Sequence, residues 1–166
     1  MAIFYEKFQL QSEGLHPTFH NVTAQVTDII SKSTIKNGIC LVYSGHTTCS
    51  IILQESSHDK TYFGLEYLQQ DLCNVMESLI PTCRAEGQYM HPGPEHIKFA
   101  LSIPGEEERF SLNTDAHLRS VFFGRSVTMP IIDEKPQLGD FGYVYFIDWD
   151  QVRGRKRTCH VMIMGE

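Results

Sequence analysis

Apolar and polar side chains alternate loosely over Ile3–Gln11, the two-residue period of a strand with one face covered. Gly14 and Pro17 then turn the chain. Over Asn21–Ser31 the period lengthens. Val22, Val26, Ile29 and Ile30 fall at i, i+4, i+7 and i+8, one apolar stripe of a short helix. Asn37-Gly38 marks a turn, followed by two apolar runs of strand length, Ile39–Tyr43 and Ile51–Leu53. Thr61–Leu79 has the longest helical pattern, with Leu65, Leu68, Leu72, Val75, Met76 and Leu79 on one stripe. Asp59 is its candidate N-cap and Pro81 its stop. From Pro81 to Ser111 no period is sustained, because glycine and proline interrupt it repeatedly. A long irregular stretch of this kind in a compact domain points to a functional loop region. Asn113–Phe123 reads as a short helix, capped by Asn113 or Asp115 and ended at Gly124. Ser126–Ile132, Tyr143–Asp148 and Arg157–Met164 read as strands, with Pro130 placing the first at a sheet edge or strand end. Two main helices, a short third and a β-rich end make the class α+β, one domain over residues 1–166.

The 166 residues are 42% hydrophobic and 20% charged, enough for one real core. The net charge of −6 argues against a general grip on nucleic acid, leaving only a local basic site at Arg153, Arg155, Lys156 and Arg157. The five cysteines form no Cys-x-x-Cys pair, so buried free thiols and a reducing compartment are expected. The start lacks a basic segment followed by an apolar one, and no apolar run reaches membrane-spanning length. The expectation is a soluble, cytoplasmic protein with neither nucleic acid nor membrane as partner.

The candidate chemistry lies mainly between the two central strands, in Ser44-Gly45-His46-Thr47-Thr48-Cys49-Ser50. Gly45 permits close backbone approach, and four hydroxyls surround His46, a reasonable ligand or acid–base position. Of eight histidines, His46, His91 and His117 stand in segments rich in turn formers or hydroxyls. Three imidazoles from separate segments can bind a metal and leave one coordination position open. The Val152-Arg153-Gly154-Arg155-Lys156-Arg157 loop offers planar guanidinium forks to phosphate or carboxylate. The plainer alternatives are a hydrogen-bonded strand bend, structural histidines and a solvated hairpin tip. Taken together, the histidines and the arginine loop would describe a pocket for a small phosphate ester or pyrophosphate.

His46-Thr47-Thr48-Cys49-Ser50 resembles the His-Thr-Ser/Thr-Ala-Ser/Gly signature of the YjbQ-like family, the secondary thiamine-phosphate synthases. Tyr89-Met90-His91 resembles the family's Tyr-x-His, and Ala116-His117-Leu118-Arg119-Ser120 its Ala-His-Leu-Lys/Arg-Ser helix start. Gly124–Ile131 is similar to its Gly-x-Ser-Leu-Thr-Ile-Pro-Ile strand. Leu138-Gly139 with Tyr143–Tyr145, and the ending from Arg157 to Gly165-Glu166, match in order as well.

The resemblance implies β-sandwich-like antiparallel or mixed sheets, packed as a homotrimer about a threefold axis. It implies that His46, His91 and His117 bind a divalent metal, zinc by expectation, or an anion. Thr47, Thr48 and Ser50, with Arg153, Arg155 and Arg157, would hold a small phosphorylated molecule, and His46, Glu55 and His117 would carry acid–base work. The implied activity is a weak thiamine-phosphate synthase reaction, joining a pyrimidine methyl pyrophosphate to a thiazole phosphate with release of pyrophosphate. Two other readings are a metal-dependent hydrolase with Glu55 or His58 as base, and a non-catalytic ligand-binding protein. The chain departs from the family at Gln54–Lys60, where only Glu55 keeps its type, and at Pro92–Ser111, which is longer and different. These departures imply an altered pocket.

Overall fold

A computed structural model describes residues 1–166 as two antiparallel sheets and four helices. The first sheet has the order β1 (Ala2–Gln11), β8 (Lys156–Gly165), β3 (Gly38–Tyr43), β5 (Ser126–Ile132), β6 (Lys135–Pro136). The second has β2 (Thr18–Asn21), β7 (Gly142–Asp148) and β4 (Cys49–Glu55). The helices are α1 (Thr23–Ser33), α2 (Tyr67–Leu79), α3 (Pro94–Leu101) and α4 (Thr114–Phe123), and Glu108–Ser111 forms a single 3-10 turn. None of the helices is long and apolar enough to cross a membrane.

Alternation along β8 turns Arg157, Cys159, Val161 and Ile163 inward. Cys159, Val161 and Ile163 meet Cys40 and Val42 of β3, Met129 and Ile131 of β5, and Val144 and Phe146 of β7 in one core. The apolar stripe of α1, with Val22 just before it, belongs to the same core. β7 is buried on both faces, so its sequence reads as a continuous apolar run rather than an alternation. Its other face, with Ile147 and the following Trp149, packs against Met76 of α2 and Ala116 of α4. Sheet, core, sheet and helical layer therefore succeed one another. The Cys40 and Cys159 thiols, fully buried, are pushed up to about 12 by desolvation and stay protonated.

Gly38 stands opposite Gly165 across β3 and β8. A Cβ at Gly38 would lie 2.1 Å from the Met164 carbonyl oxygen, so close backbone approach requires glycine there.

The elements depart from the sequence reading in three places. The first helix starts after Asn21, because Thr18–Asn21 pairs with β7 as a short strand. The second starts at Tyr67 rather than Thr61, and Glu66, not Asp59, is its N-cap, with Gln69 Oε1 accepting from the Glu66 N–H at 3.0 Å. Thr61–Leu65 instead closes a tight turn through the Thr61 N–H and the Leu65 carbonyl. The irregular stretch contains α3, which opens on Pro94 at its first turn, where a missing N–H costs nothing. The two-residue β6 pairs only with Ile131 and Ile132, so Pro130 stands where no strand covers β5 on its outer side, in keeping with its missing N–H.

Candidate functional site

Two crossings between the sheets lie side by side at one end of the sandwich. Ser44–Thr48 carries the chain from β3 in one sheet to β4 in the other, and Trp149–Arg155 carries it back from β7 to β8. The Trp149 N–H donates to the Thr48 carbonyl at 3.0 Å and ties the crossings together. The start of α4 closes one side, and α3 with its 3-10 turn closes another. Between them is a cleft of about 400 Å³.

The floor of the cleft rests on a buried ion pair. Asp148 is 0% exposed; its Oδ2 accepts from Arg157 Nε at 2.7 Å and its Oδ1 from a terminal nitrogen of the same guanidinium at 3.0 Å. The same terminal nitrogen donates to Thr48 Oγ1 at 2.9 Å. This two-pronged, charge-assisted pair holds both crossings in register. Asp148 and Asp150 were missed by sequence reading. Their signal was an aspartate ending a wholly apolar strand just before an arginine run, since a carboxylate at such a strand end needs a partner.

The three singled-out histidines have different roles. His46 Nε2 accepts from the Thr158 N–H at 3.0 Å, so its proton sits on Nδ1. His117 Nδ1 donates to the Thr47 carbonyl at 3.2 Å, which leaves the Nε2 lone pair free. Thr114 Oγ1 spends its proton on the His91 carbonyl at 2.6 Å, so His91 Nδ1 donates to that hydroxyl at 2.9 Å, again freeing Nε2. The His91 ring lies 5.6 Å from that of His117 and 4.5 Å from that of His96. His96, which α3 brings to the cleft, was also missed; the Gly93-Pro94 pair that begins its helix was the available signal.

His91 and His117 have the tautomer of a metal ligand, with the second nitrogen oriented by a hydrogen bond. His46 does not fit the same set, because a backbone N–H occupies its Nε2 lone pair. No three His, Cys, Asp or Glu side chains are grouped to hold a metal ion.

Burial lowers the pKa of His46 below its ordinary 6.5, and the Arg157 charge acts in the same direction. Burial also lowers His91 and His117. A depressed histidine pKa means that the unfolded chain takes up protons first. The stability this contributes is complete above pH 6.5 and is lost as pH falls below it. His46→Gln retains an acceptor for the Thr158 N–H, and its melting temperature should therefore fall less than wild type between pH 7.5 and 5.5. Equal falls in the two proteins would show that His46 does not carry the effect.

A family model described as UPF0047 protein YjbQ-like matches residues 6–166. The chain belongs to the YjbQ-like UPF0047 family. Among YjbQ-like relatives, UPF0047 protein MJ1081 of Methanocaldococcus jannaschii is 28% identical over 146 residues, 88% of this chain and 84% of that protein. UPF0047 protein YugU of Bacillus subtilis is 23% identical over 145 residues, 87% of this chain and 88% of that one. The crystal structure of a YbjQ-like protein of unknown function from Sulfolobus solfataricus P2 has the same fold, with a TM-score of 0.74 at 23% identity and 99% coverage of both chains.

The YjbQ-like motifs separate in space into cleft residues and supports. His46, Thr47, Thr48, His117, Arg155 and Arg157 line one cleft. Ser50 lies outside it, fully buried, and accepts from the Trp149 indole N–H at 2.9 Å. Glu55 and His58 line a different hollow with Tyr67 and Tyr143. Arg153 is ion-paired with Glu106, and its guanidinium stacks over Phe110 at 4.1 Å, fastening the α3 segment to the basic loop. That segment, where the chain departs from the family pattern, contributes Phe99, Ile103 and Phe110 as an apolar wall.

Proposed function

We infer that the cleft binds a small phosphorylated molecule and that the protein is a transferase of the thiamine-phosphate synthase type. The observation that carries this reading is the meeting, in one cleft, of His46, Thr47 and Thr48 from one crossing, Arg155 and Arg157 from the other, and His117 from α4. Guanidinium and hydroxyl groups suit an oxyanion, and the apolar wall suits the ring that bears it.

In the reaction, the bond from the pyrimidine methylene carbon to the pyrophosphate oxygen breaks. The thiazole nitrogen forms the new bond to that carbon, and the electron pair leaves with pyrophosphate. No protein nucleophile is needed. The demand on the site is to stabilise charge growing on the leaving group, which fixed donors in a half-enclosed cleft supply. Arg155 is the donor for this: Asp148 engages Arg157 at two nitrogens, whereas Asp150 faces Arg155 only at Nε, which leaves its terminal nitrogens to the leaving group. The hydrolase alternative is weakened because both of its candidate bases, Glu55 and His58, lie in the other hollow.

The test is to incubate the protein with the two half-molecules and follow pyrophosphate release and thiamine phosphate together. Product above the uncatalysed background is expected, and Arg155→Ala should reduce the rate by roughly 100-fold, the typical effect of removing one charge-stabilising donor. A background-level rate, or one indifferent to Arg155, would overturn the transferase reading.

A further inference from the structure

One imidazole lone pair in the cleft has no partner in the chain. His117 Nδ1 holds its proton on the Thr47 carbonyl at 3.2 Å, and Nε2 is unpartnered but not buried. The other histidines do not match it. His46 has its Nε2 filled by the Thr158 N–H, His96 is exposed on α3, and His91 lies outside the lining. Two guanidinium groups share the cleft with His117. Arg157 is 5% exposed; Asp148 and Thr48 hold its Nε and one terminal nitrogen, and the other, Nη1, makes no hydrogen bond. Asp150 faces Arg155 only at Nε, so both terminal nitrogens of Arg155 are open as well. His117 and Arg157 are tied to consecutive residues, the Thr47 carbonyl and the Thr48 hydroxyl, which places imidazole and guanidinium on one wall.

We propose that His117 Nε2 is a nucleophile that takes a phosphoryl group from an anhydride of phosphoric acid, such as an acyl phosphate, as a second activity of this cleft. The proposal rests on the anion-binding reading of the cleft and not on the synthase step, which needs no protein nucleophile. The Nε2 lone pair forms the N–P bond. The P–O bond to the leaving group breaks, and its electron pair departs on the carboxylate or phosphate. The ring gains positive charge, and its Nδ1 proton stays on the Thr47 carbonyl, which stabilises that charge.

The oxygens of a bound phosphoryl group go to the guanidinium N–H groups. A lone pair in the same cleft repels those oxygens, and the atom of the group that it attracts is phosphorus. The Thr47 carbonyl fixes the tautomer of His117 and aims Nε2, so the lone pair is oriented before any ligand enters. Open terminal nitrogens of Arg155 and Arg157 stabilise the charge spread over the transferring oxygens. An anhydride suits such a site because its carboxylate or phosphate leaves without a proton, whereas the alkoxide of an ester needs one.

The test is to incubate the full chain with acetyl phosphate at pH 7.5, quench in alkaline detergent and read the intact mass, with tandem mass spectrometry to locate the added group. One phosphoryl group per chain is expected on His117, stable to alkali and lost in acid as an N–P bond is. Arg155→Ala should slow its formation by roughly 100-fold, the typical effect of removing one charge-stabilising donor. Calorimetry with inorganic phosphate, run alongside, separates this proposal from the reading beneath it. Phosphate binding without a phosphohistidine overturns the proposal and leaves the anion cleft standing. Neither phosphate binding nor a phosphohistidine overturns both. A phosphoryl group located on another residue, or one still acquired by His117→Gln, overturns the assignment to His117. Should that variant fail to fold, the position located in wild type still decides.

Discussion

Asp148→Ala is expected to destabilise the protein by about 3–5 kcal/mol, the usual cost of removing one partner from a buried ion pair. For a chain of this size that is a fall in Tm on the order of 10 °C. The cost arises mainly from what remains. Arg157 would be left charged and nearly solvent-free, with only Thr48 and the more distant Asp150, at 3.6 Å, to face it. The Asp150 N–H would also lose its acceptor, Asp148 Oδ1 at 3.1 Å. The double variant Asp148→Leu with Arg157→Met removes both charges and should recover a large part of the loss, since an apolar pair of similar volume is often neutral. Urea unfolding of wild type, Asp148→Leu, Arg157→Met and the double variant measures the coupling. A single-variant loss below about 1 kcal/mol would place the pair among weak surface contacts and remove it as the floor of the cleft.

Arg119→Met is expected to cost about 3 kcal/mol and to weaken the cleft from a distance. Arg119 is 1% exposed on α4. Its Nε and a terminal nitrogen donate to the Ile80 carbonyl at 3.2 and 2.7 Å, and the same terminal nitrogen donates to Glu77 Oε2 at 2.9 Å. The guanidinium thus satisfies a carbonyl at the C-terminal end of α2 and fastens that end to α4. Its other terminal nitrogen is 3.7 Å from the buried Asp115 carboxylate, which burial already holds above its usual range despite this neighbour. Methionine fills the space but satisfies neither oxygen. His117 lies on the same helix, and its bond to the Thr47 carbonyl requires α4 to be in place. Phosphate affinity should therefore fall together with stability. Arg119→Lys should recover less than half of the loss, because one ammonium cannot reproduce the two-nitrogen grip on a single carbonyl. Full stability and affinity in Arg119→Met would show that α4 is held by its apolar face alone.

Local pattern was sufficient where a residue's role depends on its chain neighbours. Strand alternation in β1 and β8, the stripe of α1 and the Asn113 and Gly124 boundaries of α4 were all legible, because burial on one face repeats with the period of the backbone. The motifs around His46 and His117 also pointed to segments that build the cleft, whereas His91 stands beside His96 and His117 outside its lining. The start of α2 was misplaced because Leu65, though in phase with the stripe, belongs to a turn closed by its own carbonyl. α3 was hidden because Pro94 counts as a breaker anywhere except in a first turn.

The linear chain thus specified the α+β class, the positions of most strands and helices, and the residue types capable of holding an anion. Which of those residues share a cleft was settled only by tertiary structure, through two crossings between the sheets at one end of the sandwich. Ser50 was turned toward an indole and Glu55 into another hollow, while Asp148 and Asp150 were brought against Arg157 and Arg155. The physical reason is that hydrophobic periodicity reports which face is buried, whereas pairing of charges depends on contacts between segments distant in the chain. His46 shows the difference most plainly: its surroundings in sequence left it a candidate ligand, an acid–base residue or a hydrogen-bonded bend, and one backbone N–H from Thr158 decided which of its nitrogens holds the proton.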